Sequence, residues 1–400
     1  MTERIYYTEP YTAEFDATVL QLTSTDDGRP AAVLDRTAFY PTSGGQPYDI
    51  GRLGSRAVVD VIDQEDGTIL HVLDAAVEAG PIHGTVEWPR RFEHMQQHTG
   101  QHVLSAAFDH LFGVRTVSFH LGTTSSSIDL AREVTADEIA RAESEANRIV
   151  WEDRPVSIRF EDAQAATAMP LRKESKRQGR LRLIDVEGFD LSACGGTHVA
   201  RTGGIGIIAI AGSERFKGGS RIAFLCGVRA LAGYRALRSS VDESVRQLSV
   251  LPSELPEAIA RIQADVRDAR KRAKDMQSDL VAYKADGLAA GATSVGGVAL
   301  VASSLDGWDQ NGLKQIASEI VARSGHVAVL TTTTEPVSIV VARANGVAQD
   351  SGAILRQLVE RFGGKGGGRP ELAQGGGLRG PAAAILEFVR TRVFSEAAGA

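Results

Sequence analysis

Two short motifs far apart in the chain constrain it most. His98 and His102 stand in HTGQH, and Cys194 and His198 stand in CGGTH. Within each motif the two donors are spaced i, i+4, and almost 100 residues separate the motifs. On a helix, residues four apart share a face. A fold that brings both pairs together assembles three imidazoles and one thiolate, and that N/S set suits zinc best. HTGQH is not HExxH, so no glutamate lies between the ligands to act as the metalloprotease base. Four protein ligands also make an ion structural by the ordinary rule, because catalytic zinc keeps an open position. Either one ligand yields to water, or the metal shapes a pocket in which other groups orient the water.

A chain of 400 residues exceeds one ordinary core, so two to four domains are expected. Its 43% hydrophobic and 24% charged residues are those of a globular protein. No run of 18 apolar residues occurs, which argues against a membrane span, and MTERIYYTEPY has no signal-peptide core. Cys194 and Cys226 are the only cysteines, a sparse usage that fits a reducing cytoplasm. The net charge of −6 gives no bulk attraction for nucleic acid. Basic residues nonetheless cluster in LRKESKRQGRLR at 171–182, again at Arg215, Lys217 and Arg221, and in 361–380. A polyanion partner would have to use such local faces.

The fold expected is α+β. Residues 1–90 alternate β-rich stretches with DDG, SGG and EDG turns, which marks a small β-rich N-terminal domain. Residues 91–232 form an α+β core, with a helix starting after WPRR and another over 135–151, where Thr135 and Glu138 make a capping box. Residues 233–290 are helical throughout. Leu255, Ile259, Ile262, Val266, Ala269, Ala273, Met276, Leu280 and Tyr283 alternate steps of four and three, a heptad seam. A long antiparallel helical hairpin is the simplest packing, and a dimeric coiled coil is its rival. Residues 291–400 form a small glycine-rich C-terminal α/β domain. Its FGGKGGGRPELAQGGGLRG segment has nine glycines in nineteen residues. A loop holding backbone close to a phosphate or ribose is expected there, although GGKGGG lacks the Ser or Thr of a P-loop.

HTGQH followed far downstream by CGGTH resembles the editing domain of alanyl-tRNA synthetase and the free-standing alanyl-tRNA editing proteins. The similarity extends to FYPTSGGQP at 39–47, SFHLG at 118–122, SIDL at 127–130, EGFD at 187–190 and RIAFLCGVRAL at 221–231. The glycine-rich segment resembles the synthetase's C-terminal domain. The chain starts almost directly at the β domain, so no ATP-binding aminoacylation core is expected in it. The resemblance therefore implies the long form of the trans-acting editing protein, a zinc-containing hydrolase that deacylates Ser-tRNA(Ala) and also, in some members, Gly-tRNA(Ala). A tRNA- or RNA-binding protein with a structural zinc and no activity is the alternative.

By the same resemblance, Gln101 and Ser118 line the amino-acid pocket, with His120 on the same side if its segment is extended. One zinc ion would be held by His98, His102, Cys194 and His198. Arg172, Lys173, Lys217 and Arg221 would suit phosphates of the acceptor end. Lys365 and Arg369 would contact the tRNA from the C-terminal domain. The turn Ser43–Gly44–Gly45–Gln46 has three open roles: a plain turn, a wall of the cleft, or a contact to the acceptor stem. The expected partner is tRNA(Ala) mischarged with serine or glycine, with no membrane partner. A homodimer through the helical or C-terminal region stays open.

Overall fold

Strand alternation begins the fold. In Glu14–Ser24 the inward positions Phe15, Ala17 and Val19 are buried while their neighbours face out. That strand pairs on one side with Pro30–Leu34 and on the other with Gly80–Val86. Ile69–Leu73, Arg56–Asp63 and Gly51–Leu53 complete a closed six-stranded barrel. Closure leaves no strand edge exposed, and Phe15, Leu34, Phe39, Leu53, Val61 and Ile69 fill the interior. The protein is described by a computed structural model over residues 2–172, 179–295 and 297–393.

The helix Trp88–Phe112 follows directly. It starts at Trp88, ahead of the expected start after WPRR, because Pro89 fits the first turn, where its missing N–H has no intrahelical partner to lose. Gly113, at φ 63°, ends it in the left-handed region. Arg91 anchors it to the barrel. Its Nε donates to Asp49 Oδ2 at 2.9 Å and its Nη1 to Pro10 O at 2.8 Å, with no part of Arg91 exposed. Against this helix packs a four-stranded antiparallel sheet, ordered Ile208–Phe216, Gly219–Cys226, Ser126–Leu130, Thr116–Leu121. The helix Ala136–Trp151 covers another side, and it carries the expected Thr135–Glu138 capping box. The approach to the sheet is close. A Cβ on Gly100 would lie 2.3 Å from Cys226 Sγ, so glycine is required where helix and strand touch. A three-stranded sheet, Val156–Asp162, Arg180–Val186 and Asp190–Ala193, leads to the second motif.

Two compact units divide the chain, Met1–Gln247 and Leu248–Ala400. The division falls at the last residue of the helix Gly227–Leu248, ahead of the helix Leu255–Ala290. The second unit is three-layered. Its six-stranded mixed sheet carries Gln310–Val321 and the end of the long helix, through Val281 and Ala285, on one face. Ser351–Phe362 and Ala382–Phe388 cover the other. The chain is thus α+β, with a barrel, an α+β core, a long helix and a C-terminal α/β domain. One expectation needs correction. The glycine-rich segment is a β-hairpin at the sheet edge, Lys365–Gly368 paired with Leu372–Leu378, where a loop was expected. Its glycines let the two backbones meet without side chains between them. A Cβ on Gly366 would lie 2.6 Å from the Gly375 Cα.

Candidate metal centre

His98 and His102 project from one face of the helix Trp88–Phe112, as their spacing predicts. The second pair arises differently. Cys194–His198 is an irregular loop after the strand Asp190–Ala193, where the i, i+4 spacing suggested a helical turn. Its glycines supply the reason. A Cβ on Gly196 would lie 2.1 Å from His98 Cε1, so the loop backbone runs against the imidazole where no side chain fits.

The four donor atoms lie within 4.8 Å of one another. Cys194 Sγ is 3.3 Å from both His98 Nε2 and His198 Nε2. A tetrahedral ion with Zn–S of ~2.3 Å and Zn–N of ~2.0 Å gives an N···S edge of about 3.5 Å, close to that spacing. Every imidazole is also held from behind. His98 Nδ1 donates to Gln46 Oε1 at 2.8 Å, and His102 Nδ1 donates to Asp190 Oδ2 at 3.0 Å. Thr99 spends its hydroxyl hydrogen on Met95 O, so its oxygen accepts from His198 Nδ1 at 3.2 Å. All three rings therefore turn Nε2 toward a common centre, the arrangement of orienting partners that metal-binding histidines need.

The electrostatics agree with a metal site. Burial opposes a charge on Cys194, but the imidazoles around it outweigh burial and hold the thiol well below its ordinary pKa. Burial likewise opposes protonation of His102, yet Asp190 and Cys194 push it up to about 9. His198 is pushed down to about 3, chiefly by burial. Asp190 is buried, and His102 and Arg172 keep it ionised far below the usual carboxylate range. The residues present can thus hold a metal ion: Cys194 is poised as the thiolate and His198 as a neutral imidazole, and an ion would take the place of the second proton on His102.

The SGGQ turn belongs to this centre. Ser43 and Gln46 pair their backbones across Gly44 and Gly45, both at positive φ. Gln46 then reaches His98 and is fixed by Thr197, whose N donates to Oε1 at 3.1 Å and whose Oγ1 accepts from Nε2 at 2.8 Å. Ser43 and Gly44 line a cavity of about 830 Å³ that opens beside His102 and Cys194. Tight turn and cleft wall are therefore one role.

Gln101 lines the same cavity. Its Nε2 donates to Ser105 Oγ at 2.9 Å, and Ser105 also takes a hydrogen bond from Thr116 at 2.8 Å. Gln101 Oε1 is buried and without a partner among the described residues. Ser118 lines the mouth, exposed, with its hydroxyl donated to Asp129 Oδ2 at 2.5 Å. His120 is exposed and does not line the cavity. Of the basic residues singled out, Arg172 is bound to Asp190 at 2.6 Å and Arg221 to Asp129 at 2.7 Å. Lys217 is exposed over the Phe216 ring. Lys365 and Arg369 are exposed in the C-terminal hairpin. Lys173 lies outside the described residues. Gln46, Thr99 and Asp190 were not assigned to the centre from sequence. Each lies in a segment singled out from sequence, Gln46 in SGGQ, Thr99 in HTGQH and Asp190 in EGFD, but none was read as a partner of a ligand.

Known proteins match both the core and the C-terminal domain. A family model described as the threonyl and alanyl tRNA synthetase second additional domain matches residues 181–223, which include Cys194 and His198. The DHHA1 domain model matches residues 297–393. Two of the four candidate metal donors thus lie in a segment similar to a second additional domain of threonyl and alanyl tRNA synthetases. The chain is 31% identical to the alanyl-tRNA editing protein AlaX-L of Pyrococcus horikoshii over 94% of each. Alanine–tRNA ligases of Natronomonas pharaonis and Methanoregula boonei are 34% and 35% identical over 94% of this chain, which spans 42% of their length. The chain belongs to the alanyl-tRNA editing family. Among solved structures, the C-Ala domain of Aquifex aeolicus alanyl-tRNA synthetase aligns with 26% of the chain and 97% of that domain, at 19% identity. The TM-score of that match is 0.25.

Proposed function

We propose that this protein hydrolyses the ester of tRNA(Ala) mischarged with serine, and that the ion held by His98, His102, Cys194 and His198 is zinc. The observation that carries the reading is Gln101 Oε1, buried and idle in a cavity wall beside the metal donors. An acceptor so placed suits the hydroxyl of a seryl group. Alanine would leave it unpaired, at a cost of about 1–3 kcal/mol, and sites built to pair a hydroxyl discriminate strongly for that reason. Glycine also lacks the hydroxyl, so serine should be the better substrate of the two. Ser118, its hydrogen committed to Asp129, offers lone pairs to the attacking water or to the seryl hydroxyl at the mouth. Zinc, when bound, supplies a fixed positive charge that polarises an oxygen or seats the amino acid.

For the tRNA, Lys217, Lys365 and Arg369 are the exposed cations best suited to phosphate contacts. Arg172 and Arg221 are engaged by carboxylates and serve the site through them. A second reading, an RNA-binding protein with a purely structural zinc, is favoured by the four complete protein ligands. One assay separates the two. Purified, metal-loaded protein is expected to release serine from Ser-tRNA(Ala), act more slowly on Gly-tRNA(Ala) and spare Ala-tRNA(Ala). No release at stoichiometric protein would leave only the binding role.

A further inference from the structure

The deacylase reading, on which this inference rests, leaves one buried cation without a task. Arg182, in the strand Arg180–Val186, lines the metal-side cavity and is 8% exposed. Its Nε donates to Tyr7 O at 2.9 Å. Its Nη1 donates to Cys194 O at 2.7 Å and to Gly196 O at 2.9 Å. Those carbonyls use three of the five guanidinium N–H groups. Nη2 is buried and has no hydrogen-bond partner among the described residues. No described carboxylate pairs with Arg182 either, whereas Arg4 and Arg172, which line the same cavity, are bound to Asp63 and Asp190. Idle N–H groups on a buried cation are costly unless something else fills them.

We propose that Arg182 Nη2 is the oxyanion donor of the reaction, receiving the carbonyl oxygen of the aminoacyl ester. Two features favour that oxygen over a phosphate. The donor is buried, and its guanidinium is fixed by the loop that carries Cys194, in a residue that lines the cavity together with His102 and Cys194. Arg180, exposed and lining the same cavity, is the better phosphate contact. In the reaction, water adds to the carbonyl carbon and a C–O bond forms. The π pair moves onto the carbonyl oxygen, where Nη2–H holds the new negative charge. Collapse restores the carbonyl and breaks the ester C–O bond. The ribose oxygen leaves with a proton given up by the water, and the acid formed ionises. Three carbonyl contacts fix the guanidinium beforehand, so little reorganisation accompanies the step.

The test uses the full chain, metal-loaded, in single-turnover deacylation of Ser-tRNA(Ala). Arg182→Met is expected to lower the rate constant about 10²- to 10³-fold, the usual loss for one oxyanion donor, with tRNA affinity and metal content unchanged. Arg182→Lys, which keeps a cationic donor, should lose less. A tetrahedral phosphonate analogue of the seryl ester should bind R182M more weakly by a similar factor, while a planar amide analogue binds as before. A merely structural arginine would move both analogues alike. An unchanged rate, a defect in tRNA affinity alone, or a loss tracking lost metal in both variants would overturn the assignment. A wild-type chain inert on the ester would overturn the deacylase reading itself and this inference with it. That outcome is read before any variant is compared.

Discussion

Three residues that hold no metal decide whether the imidazoles can. Gln46, Asp190 and Thr99 each accept from an Nδ1–H and so fix which nitrogen faces the centre. Gln46 does so from the barrel, 52 positions before His98. Asp190→Asn is expected to reduce metal affinity about 10- to 100-fold, as loss of such a partner commonly does, and Gln46→Ala should do the same. Competition with a chromophoric chelator measures both. An unaltered affinity in Gln46→Ala would reduce SGGQ to a plain turn. The four metal donors were legible because few chemistries need His and Cys at such spacing. Their orienting partners were not, since Gln, Thr and Asp are common everywhere and only the fold brings them within 3.2 Å of a ring nitrogen. Spacing also misled once. Cys194–His198 repeats the helical interval by a glycine loop that bends back on its own sulfur, Gly196 N donating to Cys194 Sγ at 3.4 Å.

Among the elements, helices were the most legible, because the 3.6-residue period and a capping box are local signals. The glycine hairpin was hidden, because its pairing energy comes from a partner strand that sequence does not display. The barrel holds a pH-sensitive element of its own. His71 is fully buried on the strand Ile69–Leu73, its Nδ1 donating to Ala32 O at 3.2 Å and its Nε2 accepting from Thr37 Oγ1 at 2.7 Å. Burial pushes it down from 6.5 to about 4. Between those values the unfolded chain binds a proton that the folded barrel excludes, so stability rises with pH across that window and falls as acid is added. The full effect amounts to about 3 kcal/mol. Denaturant midpoints between pH 4 and 7 should show this slope, and His71→Asn should flatten it. An equally steep slope in the variant would move the titration to another group.

For the whole molecule, the long helix Leu255–Ala290 presents an apolar seam that its own unit does not cover. Ile259, Ile262 and Val266 are each more than 40% exposed, and Met276, Leu280 and Tyr283 more than half. From Ile259 to Tyr283 a helix rises about 36 Å at ~1.5 Å per residue. The helix packs into the core of its own unit through Val281 and Ala285, near its end. Apolar rows of this length on a water-facing helix mark association surfaces. The steps of four and three between them fit the seam of a coiled coil. Self-association through this helix is therefore expected, with sedimentation velocity showing a dimer that dissociates on dilution. Ile262→Glu with Val266→Glu places charge in the seam and should shift the protein to monomer while metal content stays the same. The proposed deacylation of a saturating substrate should survive that change, since among the described residues none that lines the cavity or offers a metal donor belongs to this helix. A wild-type protein monomeric at every concentration would assign the seam to another occupant. A tRNA would be a poor one, because an apolar stripe offers a phosphate backbone nothing to pair with.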